Sequence, residues 1–218
     1  MANVQNDKKA DSLQSLEGQT YNRLICSKIQ SQAGIEEVSK SENSIKYWFA
    51  MRDLKPHNAK LPAYKQMEEL KIEYFTPMWE RLIIKKNKRV REDVPFIQDL
   101  LFVHDTLEHL DTIVEKTPTL QYRYQKGKPY CEPMVVPDGD MERFINAVNS
   151  TESHRYYLPG EITPNMYRHK IRIVGGALNG YEGMLLTTRG SRVKRILVEL
   201  PTWLNVAVEV DPEYIQLL

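Results

Sequence analysis

The chain has 218 residues, of which 41% are apolar and 27% charged, and its formal net charge is +1. This length accommodates one medium or two small domains with buried cores, and the composition is typical of a globular protein. The nearly balanced charge excludes a global attraction to nucleic acid or to a membrane, so any basic surface must be local.

No chemistry-bearing motif is evident. The five histidines are scattered, Cys26 and Cys131 form no metal-ligand spacing, and no phosphate-cradling Gly-Lys-Ser/Thr run occurs. No run of about 18 apolar residues is present, and the N-terminus lacks the apolar core of a signal peptide. We therefore expect a soluble, cytoplasmic protein with no enzymatic activity, cofactor, metal or membrane contact.

Residues 1–45 are polar with a weak helical pattern, which predicts a short helix or a disordered arm. The aromatic run at 47–51 then predicts a buried strand. Further apolar patterns predict these elements in order: a helix around Leu61, Tyr64, Met67 and Leu70, strands at 72–76, 80–86 and 100–103, a helix through Leu107, Leu110 and Val114, strands at 122–124 and 134–136, and a helix capped by Asp138 through Met141, Phe144, Ile145 and Val148.

Strands and helices in this order predict one α+β domain at 46–149. Residues 150–160 carry no period and are expected to be a linker. After them every apolar run alternates as in a strand, with a turn at 189–191, which predicts a small all-β barrel at 161–218. Within it, Gly176, Gly180 and Gly183 follow an alternating strand, where a tight turn needs positive φ or a backbone without side chains.

The 170–184 segment has the pattern of the KOW motif and resembles the C-terminal domain of NusG-type transcription factors. Upstream, the segments 47–51, 74–78, 95–103, 109–118 and 136–142 resemble successive motifs of the NusG N-terminal domain. Gln98-Asp99-Leu100 stands where that family has Pro-Gly-Tyr. With its N-terminal arm, the chain is most similar to specialised NusG paralogues of the RfaH type and the UpxY type, which regulate capsular polysaccharide operons.

The resemblance implies an α+β NGN-like domain, an antiparallel sheet flanked by helices, followed by an SH3-like KOW barrel. It also implies an elongation and antitermination factor that binds the clamp of the largest subunit of bacterial RNA polymerase and suppresses pausing or termination, with an operon-specific role in polysaccharide synthesis. The polymerase-binding residues by position are Ile97, Leu100 and Phe102, with Trp48, Tyr74 and Phe75 nearby.

Two basic surfaces have open interpretations. The segment with Lys85, Lys86, Lys88, Arg89 and Arg91 lies where the family directs a hairpin towards DNA, so non-template DNA phosphates or nascent RNA are candidate ligands; a solvated hairpin tip is the alternative. Around the barrel, Arg172, Arg189, Arg192, Lys194 and Arg195 indicate contact with RNA, Rho or a ribosomal protein, or ordinary solubilising charge.

A different class of function is also compatible with the KOW motif: a general RNA-binding or ribosome-associated protein without polymerase contact. Finally, the RfaH barrel can refold as an α-hairpin. In this chain the strict alternation and the β-branched content of 161–218 favour the barrel, so we expect no such switch.

Overall fold

A computed structural model of the chain describes residues 45–56, 59–85, 87–125, 132–186 and 193–218. The expected N-terminal helix, Lys86 and the expected turn at 189–191, together with Arg189 and Arg192, lie outside these residues. The chain divides into two compact units. In the smaller one, of which residues 45, 122–125 and 132–134 are described, Tyr124 bridges Pro133, and the Met134 N–H donates to the Arg123 carbonyl at 2.7 Å.

The larger unit holds everything else, residues 46–121 and 135–218. Its N-terminal part, up to residue 149, contains these elements among the described residues: β1 (Tyr47–Asp53), α1 (Ala63–Glu69), β2 (Glu73–Phe75), β3 (Met78–Lys85), β4 (Lys88–Pro95), β5 (Leu101–Asp105), α2 (Leu107–Lys116), β6 (Leu120–Tyr122, whose last residue belongs to the smaller unit), β7 (Val135–Val136) and α3 (Asp138–Asn149).

The main sheet of this part has the order β2-β5-β1-β6, with β7 also paired to β1. Ala50 lies opposite Phe102, and Phe102 opposite Phe75, in antiparallel register. The continuous apolar sequence 101–103 is explained by its place in β5, between two neighbouring strands and buried on both faces. Strands β3 and β4 form a separate two-stranded hairpin.

The C-terminal part, from residue 154, contains six strands: β8 (His154–Tyr157), β9 (Tyr167–Ile173), β10 (Glu182–Leu186), β11 (Lys194–Leu200), β12 (Leu204–Val210) and β13 (Ile215–Leu217). They form an antiparallel sheet in the order β13-β9-β10-β11-β12-β8. Its alternating valine and isoleucine positions supply one buried face. Mixed helices and antiparallel sheets are thus observed, while the NGN-like and SH3-like assignments stay predictions.

Strand β8 falls inside the interval expected to be a linker. It shows no apolar alternation, and its formation depends on pairing with β12, where Val206 lies opposite Tyr156 and Val208 opposite His154. A four-residue strand without its own pattern is specified by a distant partner, which explains why the local sequence did not indicate it.

Helices α2 and α3 begin differently: α2 has a side-chain cap and α3 has none. Thr106 caps α2 by accepting the His109 N–H at 3.3 Å. The expectation that Asp138 caps α3 was wrong: the capping position is Pro137, and Asp138 is the first helical residue. At that position its carboxylate interacts favourably with the positive end of the helix dipole, and it accepts no capping hydrogen bond.

Across the described residues, no helix combines the length and the apolar character needed to cross a membrane.

Candidate functional site

Strand alternation gathers three of the expected polymerase-binding aromatics on one face of the main sheet. Phe75 and Phe102 have ring centroids 6.4 Å apart. Trp48 lies on the same face, because it is two residues from Ala50, the strand partner of Phe102. Tyr74 points to the opposite face, because neighbouring residues of a strand alternate, and its ring lies 6.4 Å from that of Tyr64. The six residues therefore do not form one patch.

Ile97 and Leu100 lie in the turn that leads into β5. The Leu100 N–H donates to the Ile97 carbonyl at 3.2 Å, and Arg52 holds the turn through a 3.0 Å ion pair with Asp99. This turn forms without the Pro-Gly pair of the NusG family. Leu100 is buried and Ile97 half-buried, so Ile97 is the more accessible of the two.

The aromatic face is covered by residues that the sequence did not connect with it. Trp203, in the turn between β11 and β12, packs edge-to-face on Phe102 with centroids 5.5 Å apart. Phe144 of α3 meets Phe75 at 6.0 Å. Phe102 is fully buried as a result. A tryptophan in a turn between two apolar strands is the signal that was available for Trp203.

Strand β8 adds a second aromatic contact between the two parts of the larger unit. Tyr156 lies 5.4 Å from the ring of Phe96 and 6.5 Å from that of Phe144, while its backbone pairs with β12. Burial raises the pKa of Tyr156 above its ordinary value. Its ring contacts with Phe96 and Phe144 make the residue a packing element.

Polar residues border the covered face. Trp48 stacks on His104 at 4.9 Å with an interplanar angle of 13°, and Nδ1 of His104 lies 2.6 Å from Oε2 of Glu73. Trp48 is buried beneath this pair. Among the described residues, no group of three histidine, cysteine, aspartate or glutamate side chains could hold a metal ion.

The basic segment forms the tip of the β3–β4 hairpin. Its base is closed by the Phe96 N–H, which donates to the Pro77 carbonyl at 2.8 Å, and its tip turns through Asn87 with a φ of 61°. Lys88 and Arg89 are exposed there. Arg91 makes a 3.1 Å ion pair with Glu80. Of the remaining expected cations, Lys85 ends β3.

The glycine turn after β9 has the backbone features that its sequence suggested. Gly176 and Gly180 have φ values of 66° and 84°, in the left-handed region that glycine tolerates. Gly183 has a different constraint: a Cβ there would collide with the carbonyl oxygen of Leu197 and lie 2.9 Å from Cγ1 of Ile196. Two glycines thus serve the turn and one serves close strand packing.

The residues just after this turn contact α3. The guanidinium of Arg143 lies 5.2 Å from the centroid of the Tyr181 ring and donates to the Glu182 carbonyl. In return, the Tyr181 hydroxyl donates to the Arg143 carbonyl at 3.1 Å. Together with Trp203 and Tyr156, this is the third contact that joins the two parts.

Cations on the C-terminal sheet are largely engaged. Arg172 and Lys170 bind Glu182 at 2.5 and 3.1 Å, and their hydrogen bonds hold the pKa of Glu182 below its ordinary value. Arg195 lies opposite Glu209 in the β11–β12 register. Lys194 is exposed. The described part of this surface is therefore less basic than its sequence suggests.

Comparison with protein-family models finds none that matches the chain, and no curated protein is significantly similar to it in sequence. The likeness to NusG-type factors consequently depends on the motifs described above and on the order of elements that carries them.

Proposed function

We propose that the chain is a transcription elongation and antitermination factor that binds bacterial RNA polymerase and suppresses pausing or termination, with an operon-specific role in polysaccharide synthesis. The observation that carries this proposal is the aromatic face of the main sheet. Trp48, Phe75 and Phe102, three residues named from the NusG resemblance, lie on that one face, beside the turn that holds Ile97.

An apolar sheet face suits an amphipathic helical partner, and a pair of clamp helices has that chemistry. The rival function, RNA or ribosome binding without polymerase contact, receives less support. Its expected ligand needs free cations on the C-terminal sheet, and Arg172 and Lys170 are bound to Glu182.

The proposal has a structural requirement. Because Trp203 lies on Phe102, a polymerase helix reaches that face only after the β11–β12 turn has moved away. Binding energy must then compensate for the lost aromatic contact, which for such a pair is about 0.5–1.5 kcal/mol beyond the area that it buries. A variant that lacks the contact should bind more tightly, since less free energy is needed to expose the face.

Capture of purified bacterial core RNA polymerase by the immobilised full-length chain tests two claims: that the chain binds polymerase, and that the β11–β12 turn must move away for binding. Ile97→Asp places a charge in the half-buried turn beside the aromatic face and should weaken capture at least tenfold. Trp203→Ala should strengthen capture by about two- to tenfold. Leu217→Asp is the matched control, since it adds the same charge at a side chain 64% exposed on β13.

If the wild-type chain captures no polymerase, the proposed function is wrong. Capture that is equal for wild type and Ile97→Asp would keep polymerase binding but remove this patch as its site. RNA binding in place of polymerase binding would favour the rival function.

A further inference from the structure

Strands β3 and β4 are separate from the two larger sheets. Among the described residues they form a sheet of two strands, so each has an outer edge with which no further strand of that part of the chain pairs. The N–H and C=O groups along such an edge can bind another strand, and many proteins protect an edge of this kind with charged side chains. The two edges of this hairpin differ in that protection.

Strand β4 is protected by charge and β3 is apolar at its centre. The sequence of β4, Lys-Arg-Val-Arg-Glu-Asp-Val-Pro, carries five charged residues and ends in a proline. In β3, three aliphatic residues follow one another, Leu82, Ile83 and Ile84. Ile84 is 74% exposed and Leu82 57% exposed, and isoleucine is β-branched, which favours strands. The β3 edge is therefore the one suited to pairing with a further strand.

The apolar run of β3 is complementary to itself in an antiparallel pairing. With a two-fold axis at Ile83, this residue meets its own copy, and Leu82 meets the second copy's Ile84 on each side of the axis. Directly opposite side chains of antiparallel strands lie about 5 Å apart and interact. Aliphatic groups that are now exposed to water would thus contact one another. A register shifted by two residues would place Glu80 opposite Ile84 and lose this match.

The length and the charges of the hairpin are compatible with this pairing. Measured from Ile83 along the strand, the tip at Asn87 is about 13 Å away and the base at Met78 about 17 Å away. The tip of each copy therefore ends before the base of the other. Glu80 and Asp93 place carboxylates in the base half, whereas the tip half of β4 carries cations. Antiparallel pairing brings each base half beside the tip half of the other copy, where opposite charges attract.

We propose that two copies of the chain associate through their β3 edges, in an antiparallel pair centred on Ile83, and form a four-stranded sheet in the order β4-β3-β3-β4. This two-fold pairing uses the β3 edge of both copies and leaves the charged β4 strands outside, so assembly ends at the dimer. A contact confined to one strand edge is smaller than the roughly 1,200 Å² of stable interfaces, so its dissociation constant should be on the order of 100 µM. The association goes beyond polymerase binding and does not depend on it.

Sedimentation velocity of the full-length chain alone, at concentrations below and above this dissociation constant, measures the association. We expect a shift from monomer to dimer and no larger species. Ile84→Lys places a cation in the apolar centre of the contact and should raise the dissociation constant at least about tenfold. Val90→Lys is the matched control, because it adds the same charge at an exposed aliphatic residue of β4, and it should change the constant less than about threefold. Since both side chains are exposed, neither replacement should alter the far-ultraviolet circular dichroism.

Cysteine crosslinking tests the register of the pairing. In a full-length chain whose Cys26 and Cys131 are replaced by serine, Ile83→Cys places two thiols at the axis, where opposite Cα atoms lie about 4.5–5.5 Å apart. This separation suits a disulfide, so diamide, a two-electron oxidant, should link the two copies. Arg81→Cys is the control, since its two thiols would lie about 13 Å apart along the strands and should not become linked.

Several results would overturn the proposal: a monomer at every concentration, growth beyond the dimer, equal effects of Ile84→Lys and Val90→Lys, or equal crosslinking of Ile83→Cys and Arg81→Cys. A chain that is monomeric alone, and loses binding to added core polymerase or duplex DNA on Ile84→Lys, would also overturn it, in favour of a different occupant of the β3 edge. Because sedimentation and crosslinking contain no polymerase, failure of the proposed polymerase binding would leave their outcomes unchanged.

Discussion

Replacing Asp53 by alanine tests how the end of β1 is tied to the start of α1. The Asp53 carboxylate accepts the N–H of Ala63 at 2.6 Å and that of Lys55 at 2.9 Å. Helix α1 begins after Pro62, which supplies no capping side chain. Asp53 therefore does the work of a helix cap from ten residues upstream.

The two donors differ in their environment, and this sets the magnitude. Ala63 is fully buried, so its N–H would be left without a partner, at a cost of about 1–3 kcal/mol. The Lys55 N–H is only part-buried and water can replace the carboxylate, so about 0.5–1 kcal/mol is expected there. Asp53→Ala should therefore lower the free energy of unfolding by about 1.5–4 kcal/mol.

Urea denaturation at neutral pH measures this difference, and the m-value should stay unchanged because the unfolded surface is the same. Asp53→Asn keeps one acceptor and should lose about half as much stability. Asp93→Ala removes an exposed carboxylate of the hairpin and should stay within about 0.5 kcal/mol of wild type. A loss below 0.5 kcal/mol for Asp53→Ala would refute the capping role.

Three further outcomes are expected. Gly183→Ala should destabilise by about 1–3 kcal/mol because its Cβ meets the adjacent strand, whereas Gly139→Ala, with open space around the Cβ, should be neutral or stabilise by up to about 1 kcal/mol; urea midpoints compare them. Burial raises the folded-state pKa of Tyr156 above the 10.0 of free tyrosine. The unfolded state therefore loses the hydroxyl proton at a lower pH than the folded state does. The free energy of unfolding is unaffected by this residue below pH 10 and decreases as the pH rises from 10 towards the raised pKa. Between pH 9 and pH 11, the free energy of unfolding should decrease less for Tyr156→Phe than for wild type. The two slopes should differ by up to about 1.4 kcal/mol per pH unit, and equal slopes would contradict this. An isolated 161–218 fragment should give a β-type circular dichroism spectrum, and 151–218 should unfold at higher urea because it retains β8; a helical spectrum would show that our expectation of no refolding is wrong.

The sequence predicted the elements whose signals are local. Three elements are indicated by their own residues without reference to the rest of the chain. They are β1 with its aromatic run at 47–51, α1 with the helical spacing around Met67, and β5 with its continuous apolar run. The glycines after β9 likewise follow from backbone geometry within a few residues.

What the sequence left open depends on distant partners. Nothing near Phe102 indicates that Trp203, about a hundred residues later, packs on its ring, so burial could not be separated from a partner-binding role. For Leu82 and Ile84, the strand at 80–86 was predicted, but β4 as its partner was not. Their alignment with Arg91 and Arg89 appears only with the register of the hairpin.

Strand β8 also sets the reach of the C-terminal part. Only the four residues 150–153 separate the end of α3 from the start of β8. While β8 stays on β12, this tether spans at most about 18 Å, so the start of β8 cannot lie far from the end of α3. If β8 peels off, the tether lengthens to residues 150–166 and about 60 Å. The pairing of this one four-residue strand with β12 thus determines whether the connection to α3 is short or long.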